Sequence, residues 1–129
     1  MRPILYVILI ILAISCSEEH DNHIIKKDIA HISEALIPDR SINLEIVQIK
    51  AKAVETDGCW RDLYFVMEKK SEFEYSLKAL GTYESNGVCP TVMVYKDTII
   101  DFMPIHKGIY FFQIVQSKDN NKLDTMYVE

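Results

Sequence analysis

The residues with the most chemistry to offer are three cysteines, Cys16, Cys59 and Cys89. Cys59 and Cys89 each stand beside a turn sequence, Asp57-Gly58 and Asn86-Gly87. As thiols they would make a redox couple or two metal ligands. As an even pair outside a reducing compartment they make a disulfide. No Cys-x-x-Cys spacing is present to lower a thiol pKa, and a metal would need ligands from elsewhere, so the disulfide is the expected state. His20 and His23, flanking Asp21, would bind zinc only weakly even on a helix. They lie beside Glu18 and Glu19 in a polar stretch where solvated side chains are the rule, so no metal is expected. His31 and His106 stand alone and are expected on the surface. No serine after Cys16 sits in Gly-x-Ser-x-Gly or Ser-x-x-Lys, and no glycine loop is built to cradle phosphate. Glu18-Glu19, and Glu72 with Glu74, are explained by solvation and strand alternation, and a glycosidase pair would need a cleft. The expectation is a protein that is not an enzyme and carries no cofactor.

Cys16 belongs to a different chemistry. Met1-Arg2-Pro3 is a short basic start, Ile4 to Ile14 is an unbroken apolar run, and Ala13-Ile14-Ser15 places small residues before the cysteine. Basic tip, apolar core and small-residue cleavage site are the parts of a secretory signal. The apolar run is too short to span a hydrocarbon core of about 30 Å, which takes roughly 20 helical residues. With a cysteine at the cut, the segment resembles the lipobox of bacterial lipoproteins, although Leu12 sits one place further back than the usual leucine. The resemblance implies that Cys16 is acylated, becomes the new N-terminus and holds the protein to a membrane. Ser17 is not an aspartate, so the inner-membrane retention signal of enteric bacteria is missing. Ser17-Glu18-Glu19 resembles the acidic flank of surface-exported lipoproteins. The expected location is the cell envelope, lipid-anchored to the outer membrane and open to surface exposure.

The chain of 129 residues carries a formal net charge of −5, one unit more negative once Arg2 leaves with the signal. A modestly acidic domain without a basic stripe argues against nucleic acid and anionic lipid as ligands. The expected organisation is a signal peptide over 1–15, a lipidated tether over 16–28 and one domain over 29–129.

The elements that must position these residues read as strands. Ile25, Ile29, Ile32 and Leu36 fall at helical spacing, with Asn22 as a candidate cap, yet Pro38 forces extended geometry before it. A strand over 32–37 is the favoured alternative. From Ile42 onward the period is two, and Val47, Ile49, Ala51 and Ala53 alternate with Gln48, Lys50 and Lys52. Leu63, Phe65 and Met67 mark the next strand, and Phe73, Tyr75, Leu77 and Ala79 the one after. Val92 and Val94, then Ile99 to Met103, suggest two short strands around a turn at Lys96-Asp97. Tyr110, Phe112 and Ile114 define another, and Met126 with Val128 the last. About seven short strands with regular turns over about 110 residues point to an all-β, antiparallel sandwich.

Ile37-Pro38-Asp39, Asp57-Gly58-Cys59-Trp60, Val88-Cys89-Pro90 and Lys107-Gly108-Ile109-Tyr110 together resemble small immunoglobulin-like lipoproteins of gram-negative bacteria. The resemblance implies an immunoglobulin-like sandwich, with Gly108 and Tyr110 entering the penultimate strand where a tyrosine corner often sits. It implies no activity, since a sandwich hosts many functions. The spacing differs from the antibody-type bridge, so the disulfide should tie loops or strand ends, with Trp60 packed over it. Trp60, Tyr64, Tyr83, Tyr95 and Tyr127 exceed what such a core needs, and any exposed on one face would mark a protein or sugar contact surface. The expected role is a non-enzymatic binding or envelope-complex accessory module with a protein or glycan partner. A carbohydrate-binding or protease-inhibitor module, and less readily a small envelope enzyme, are the alternatives.

Overall fold

The computed structural model describes residues 22–129, so Cys16 and the signal segment lie outside the described residues. The strands run in the order β1 (Ile24–Ala30), β2 (Ile32–Leu36), β3 (Arg40–Ser41), β4 (Val47–Glu55), β5 (Trp60–Lys69), β6 (Glu74–Ser85), β7 (Val94–Phe102), β8 (Gly108–Ser117) and β9 (Asn120–Val128). They form two sheets. The larger has the order β1-β6-β8-β9-β3 with β5 on the other edge of β6, and the smaller has the order β2-β4-β7.

Alternation along the strands fills the space between the sheets. Tyr110, Phe112, Ile114, Met126 and Val128 come from the larger sheet, and Ile32, Ile49, Ala51, Ala53 and Phe102 from the smaller. Each large apolar side chain removed from water stabilises the fold by about 1.5–3 kcal/mol. Phe102 meets Tyr75, Phe112 and Tyr110 edge-on, with ring centroids 4.9, 5.4 and 5.7 Å apart. This aromatic cluster joins the sheets, because Phe102 belongs to one and its three partners to the other.

Four expectations change. The larger sheet is mixed rather than wholly antiparallel, since β6/β8 and β3/β9 pair in parallel, while β2-β4-β7 is antiparallel throughout. The chain leaves the larger sheet after β6, runs back through the smaller sheet as β7 and returns as β8, so β6 and β8 point the same way. The tether expected over 16–28 ends sooner, because Ile24–Ala30 is a strand paired residue for residue with β6. Its Ile24 and Ile25 are exposed, so the backbone ladder holds it rather than a buried face, and the period of two is missing. Lys96-Asp97 is not a turn but the middle of β7, where the pair lies opposite Ala53 and Lys52 of β4. An edge strand tolerates such charges because water reaches them. Finally, Ile42 to Ile46 is a turn and not the start of β4.

Chain entry fixes which end is which. β1 descends along β6 from Ile24 opposite Ser85 to Ala30 opposite Ala79. At His31 it crosses to the smaller sheet and continues as β2. His31 secures that crossing: its N–H donates to Glu55 Oε1 (2.7 Å), its carbonyl accepts from Val54 N–H (2.9 Å), and its Nδ1 donates to the Gln116 carbonyl (2.9 Å).

Candidate functional site

The cysteines meet at the end of the sandwich where the described chain begins. Cys59 precedes β5, Cys89 follows β6, and they form a disulfide with α-carbons 5.3 Å apart. Asp57 Oδ1 accepts the Cys59 N–H at 3.0 Å, and Gly58 N–H donates to the Pro90 carbonyl at 2.7 Å. The Tyr83 hydroxyl donates to Cys89 Sγ at 3.3 Å. The bridge therefore ties a strand end to a loop, as the spacing implied. Asp57, Cys59 and Cys89 present ligand atoms within 4.8 Å of one another, but metal binding by cysteine requires thiolates, and here both sulfurs are consumed by each other.

Trp60 follows Cys59 directly and opens β5. A β-carbon on Gly81 would stand 3.1 Å from Trp60 Cε3 and 2.5 Å from Leu63 Cδ2, so the indole and Leu63 lie directly over that glycine. Trp60 also meets Tyr83 edge-on at 5.5 Å. Tyr83 joins the indole to the bridge, since its hydroxyl reaches Cys89 Sγ.

At the opposite end, Tyr110 makes the expected corner. Its hydroxyl accepts from the His106 N–H and donates to the His106 carbonyl, both at 3.1 Å. Gly108 has φ +137°, and an added β-carbon would lie 3.3 Å from the Phe73 ring, so both conformation and space favour glycine. Phe73 in turn packs edge-on against Tyr110 at 5.2 Å.

The histidines do not converge. His23 lies 3.0 Å from Glu84 Oε1, and the hydrogen bond from His23 leads in holding that carboxyl below the usual range. His106 contacts Glu72 at 2.9 Å, while His20 lies outside the described residues. Burial raises the Glu55 carboxyl, partly offset by the His31 N–H that it accepts. The Asp28 carboxyl is held down to about 2, first by its hydrogen bond with Lys118, against the opposing effect of burial. Lys118 Nζ lies 2.9 Å and Lys26 Nζ 3.2 Å from Asp28 Oδ2, which pins the β8–β9 hairpin against β1. These charges brace the fold.

The exposed tyrosines do not all share one face. Tyr64 and Tyr127 are exposed on the larger sheet, with Lys27 and Arg40 over their rings, whereas Tyr95 is exposed on the smaller. A shallow groove of about 620 Å³ crosses the outer face of the smaller sheet. It is lined by two rows, Leu36-Lys50-Ile99 and Glu34-Lys52-Asp97, set by the β2-β4-β7 register. Its charges alternate in sign, and Lys52 is already paired with Asp97 at 3.9 Å.

One surface escaped the sequence reading. Ile42, Leu44 and Ile46 are exposed to 55, 62 and 64% on the β3–β4 turn, and Met103 and Ile105 are exposed on the β7–β8 loop. The Leu44 N–H donates to the Pro104 carbonyl at 2.8 Å, joining the two loops into one apolar end. A signal existed. Ile42, Leu44 and Ile46 are even-numbered, whereas Val47, Ile49, Ala51 and Ala53 are odd, so one continuous strand would have put the two sets on opposite faces. No family model, curated protein or solved structure matches the chain.

Proposed function

We propose that the chain is a non-enzymatic lipoprotein of the cell envelope, held to the outer membrane by acyl groups on Cys16. In this reading an immunoglobulin-like sandwich serves as a binding or accessory module for an envelope complex. The observation that carries the proposal is how the chain enters the fold. Seven residues separate Cys16 from Ile24, and from Ile24 on the chain is zipped to the central strand β6 and pinned by Lys118 to Asp28. The disulfide braces that same end. A tension applied at Ile24 along β1 is thus spread over a whole ladder of hydrogen bonds. That is the mechanical requirement of a module on a short lipid leash.

The immunoglobulin-like part of the proposal rests on two packed sheets, the corner tyrosine at the start of the penultimate strand and the parallel edge pair β3/β9. The parallel β6/β8 pair departs from it. Two or three acyl chains, at about 0.8 kcal/mol per buried methylene, hold a protein on a bilayer essentially permanently. Cys16→Ala should therefore move the protein from the detergent phase to the soluble fraction, or leave the signal uncut. Unchanged partitioning of the variant would refute the anchor.

A further inference from the structure

We infer that Asp57, Cys59 and Cys89 form a redox-gated site for a zinc-like divalent cation, closed while the bridge is intact and opened when a dithiol reduces it. A cysteine pair alone offers two ligands and needs a third from elsewhere. Asp57 supplies it, since a carboxylate oxygen and the two sulfurs lie within 4.8 Å of one another. The turn aims that carboxylate, because Oδ1 accepts the Cys59 N–H at 3.0 Å and so leaves Oδ2 for a cation. Zinc binds thiolate sulfur at about 2.3 Å and carboxylate oxygen at about 2.0–2.2 Å, so tetrahedral ligands stand about 3.5–3.8 Å apart. Side-chain rotation reaches that spacing from the observed cluster once the sulfurs part. Two thiolates and one carboxylate suit a borderline-soft ion better than calcium or magnesium, which take oxygen ligands.

The cluster outlasts the bridge because the backbone holds it. Cys59 stands beside the ladder pair Trp60 and Tyr83. Its carbonyl accepts the Glu84 N–H at 2.9 Å, and the Gly58 N–H reaches the carbonyl of Pro90, next to Cys89, at 2.7 Å. None of these bonds involves sulfur, so reduction leaves the two α-carbons near their present separation of 5.3 Å. Around Cys89 Sγ stand the Tyr83 hydroxyl at 3.3 Å and the Ser85 hydroxyl at 3.6 Å. Both donate to a thiolate there, and such donors favour the charged sulfur. Cys59 Sγ lies 3.7 Å from the Val88 carbonyl, to which its thiol donates until a cation displaces the proton. Cys89 is half-buried and lines, with Tyr83, Ser85 and Gly87, a surface hollow of about 500 Å³ that admits the reductant. The dithiol passes two electrons and two protons to the bridge, which leaves a disulfide on the dithiol and thiols on Cys59 and Cys89. The cation then takes both sulfurs as thiolates, and two protons go to water. The inference does not depend on a lipid at Cys16.

The test reduces the full-length protein with a dithiol, removes the dithiol without admitting oxygen, and titrates the chain with Zn²⁺ beside an oxidised sample. The reduced chain should bind one ion per chain and unfold at a higher midpoint with zinc than without it, whereas the oxidised chain should bind none. Cobalt(II) in place of zinc should give a sulfur-to-metal charge-transfer band, which reads thiolate ligation directly. Cys89→Ser should bind no better than the oxidised parent. Asp57→Asn and Asp57→Ser keep an acceptor for the Cys59 N–H but lose the charge, and each should weaken zinc by about tenfold or more. Equal uptake by both redox forms would reveal an adventitious ion only, and overturn the site. So would no uptake by the reduced chain, one ion shared between two chains, or full affinity in either Asp57 variant. A reduced chain that loses its strands and does not regain them with zinc would overturn it too, because the backbone would not then hold the ligands together. Unfolding of both oxidised Asp57 variants would do the same, since the carboxylate would belong to the fold.

Discussion

The Tyr110 hydroxyl closes onto the backbone of His106, 3.1 Å from both its amide nitrogen and its carbonyl oxygen. The ring below is fully buried between Phe73 and Phe102, so the hydroxyl can be removed without disturbing the packing. Tyr110→Phe should lower stability by about 1 kcal/mol, because exposed His106 recovers hydrogen bonds to water. A chemical-denaturation curve that superimposes on the parent would show that the corner contributes nothing.

The Cys59–Cys89 bridge closes a loop across 30 residues of sequence separation. Such a loop stabilises by roughly 3–4 kcal/mol in the chain-entropy model. Reductant, or the paired change of both cysteines to serine, should lower the unfolding midpoint by a corresponding amount while strand content persists. Free thiols in protein isolated from its own cells without reductant would contradict the bridge.

Strand phase gives a sharper contrast. Ile49 is fully buried and Lys50 exposed on the same strand, and Phe112 and Gln113 repeat the arrangement on β8. Ile49→Asp and Phe112→Asp each bury a charge with no partner and should unfold the domain, whereas Lys50→Asp and Gln113→Asp should fold. Circular dichroism of the four proteins checks this, and equal tolerance within either pair would contradict the register.

Asp28 makes stability depend on pH in acid. Its folded pKa of about 2 lies below the ordinary carboxylate value, so it contributes stability that is complete above about pH 5 and fades as pH falls toward 2. Between those values the parent should lose more stability than Asp28→Asn. Lys118→Ala should flatten the same interval, because Lys118 is the leading cause of the shift. Parallel thermal-melt profiles for parent and Asp28→Asn would remove Asp28 from the account.

Much of this fold is legible from alternation wherever a strand has one wet and one dry face. β4 and β8 show it, and the approach of Gly108 to Tyr110 announced the corner. Legibility failed where something other than a buried face decides. β1 is held by its ladder to β6, so Ile24-Ile25-Lys26-Lys27 shows no period. β7 runs through Lys96-Asp97 because its partner β4 supplies Lys52 opposite Asp97. The apolar end was hidden by its own regularity. Ile42, Leu44 and Ile46 imitate a strand face, and only the change of phase at Val47 separates a surface feature from the core that follows.

The proposed lipid on Cys16 is tested most directly by the intact mass of the N-terminal peptide of the protein isolated from its own cells. The expected peptide begins at Cys16 and carries the added mass of a diacylglyceryl group, with or without an amide-linked acyl chain. A peptide that begins at Cys16 without added mass, or one that retains residues 1–15, would contradict the proposal.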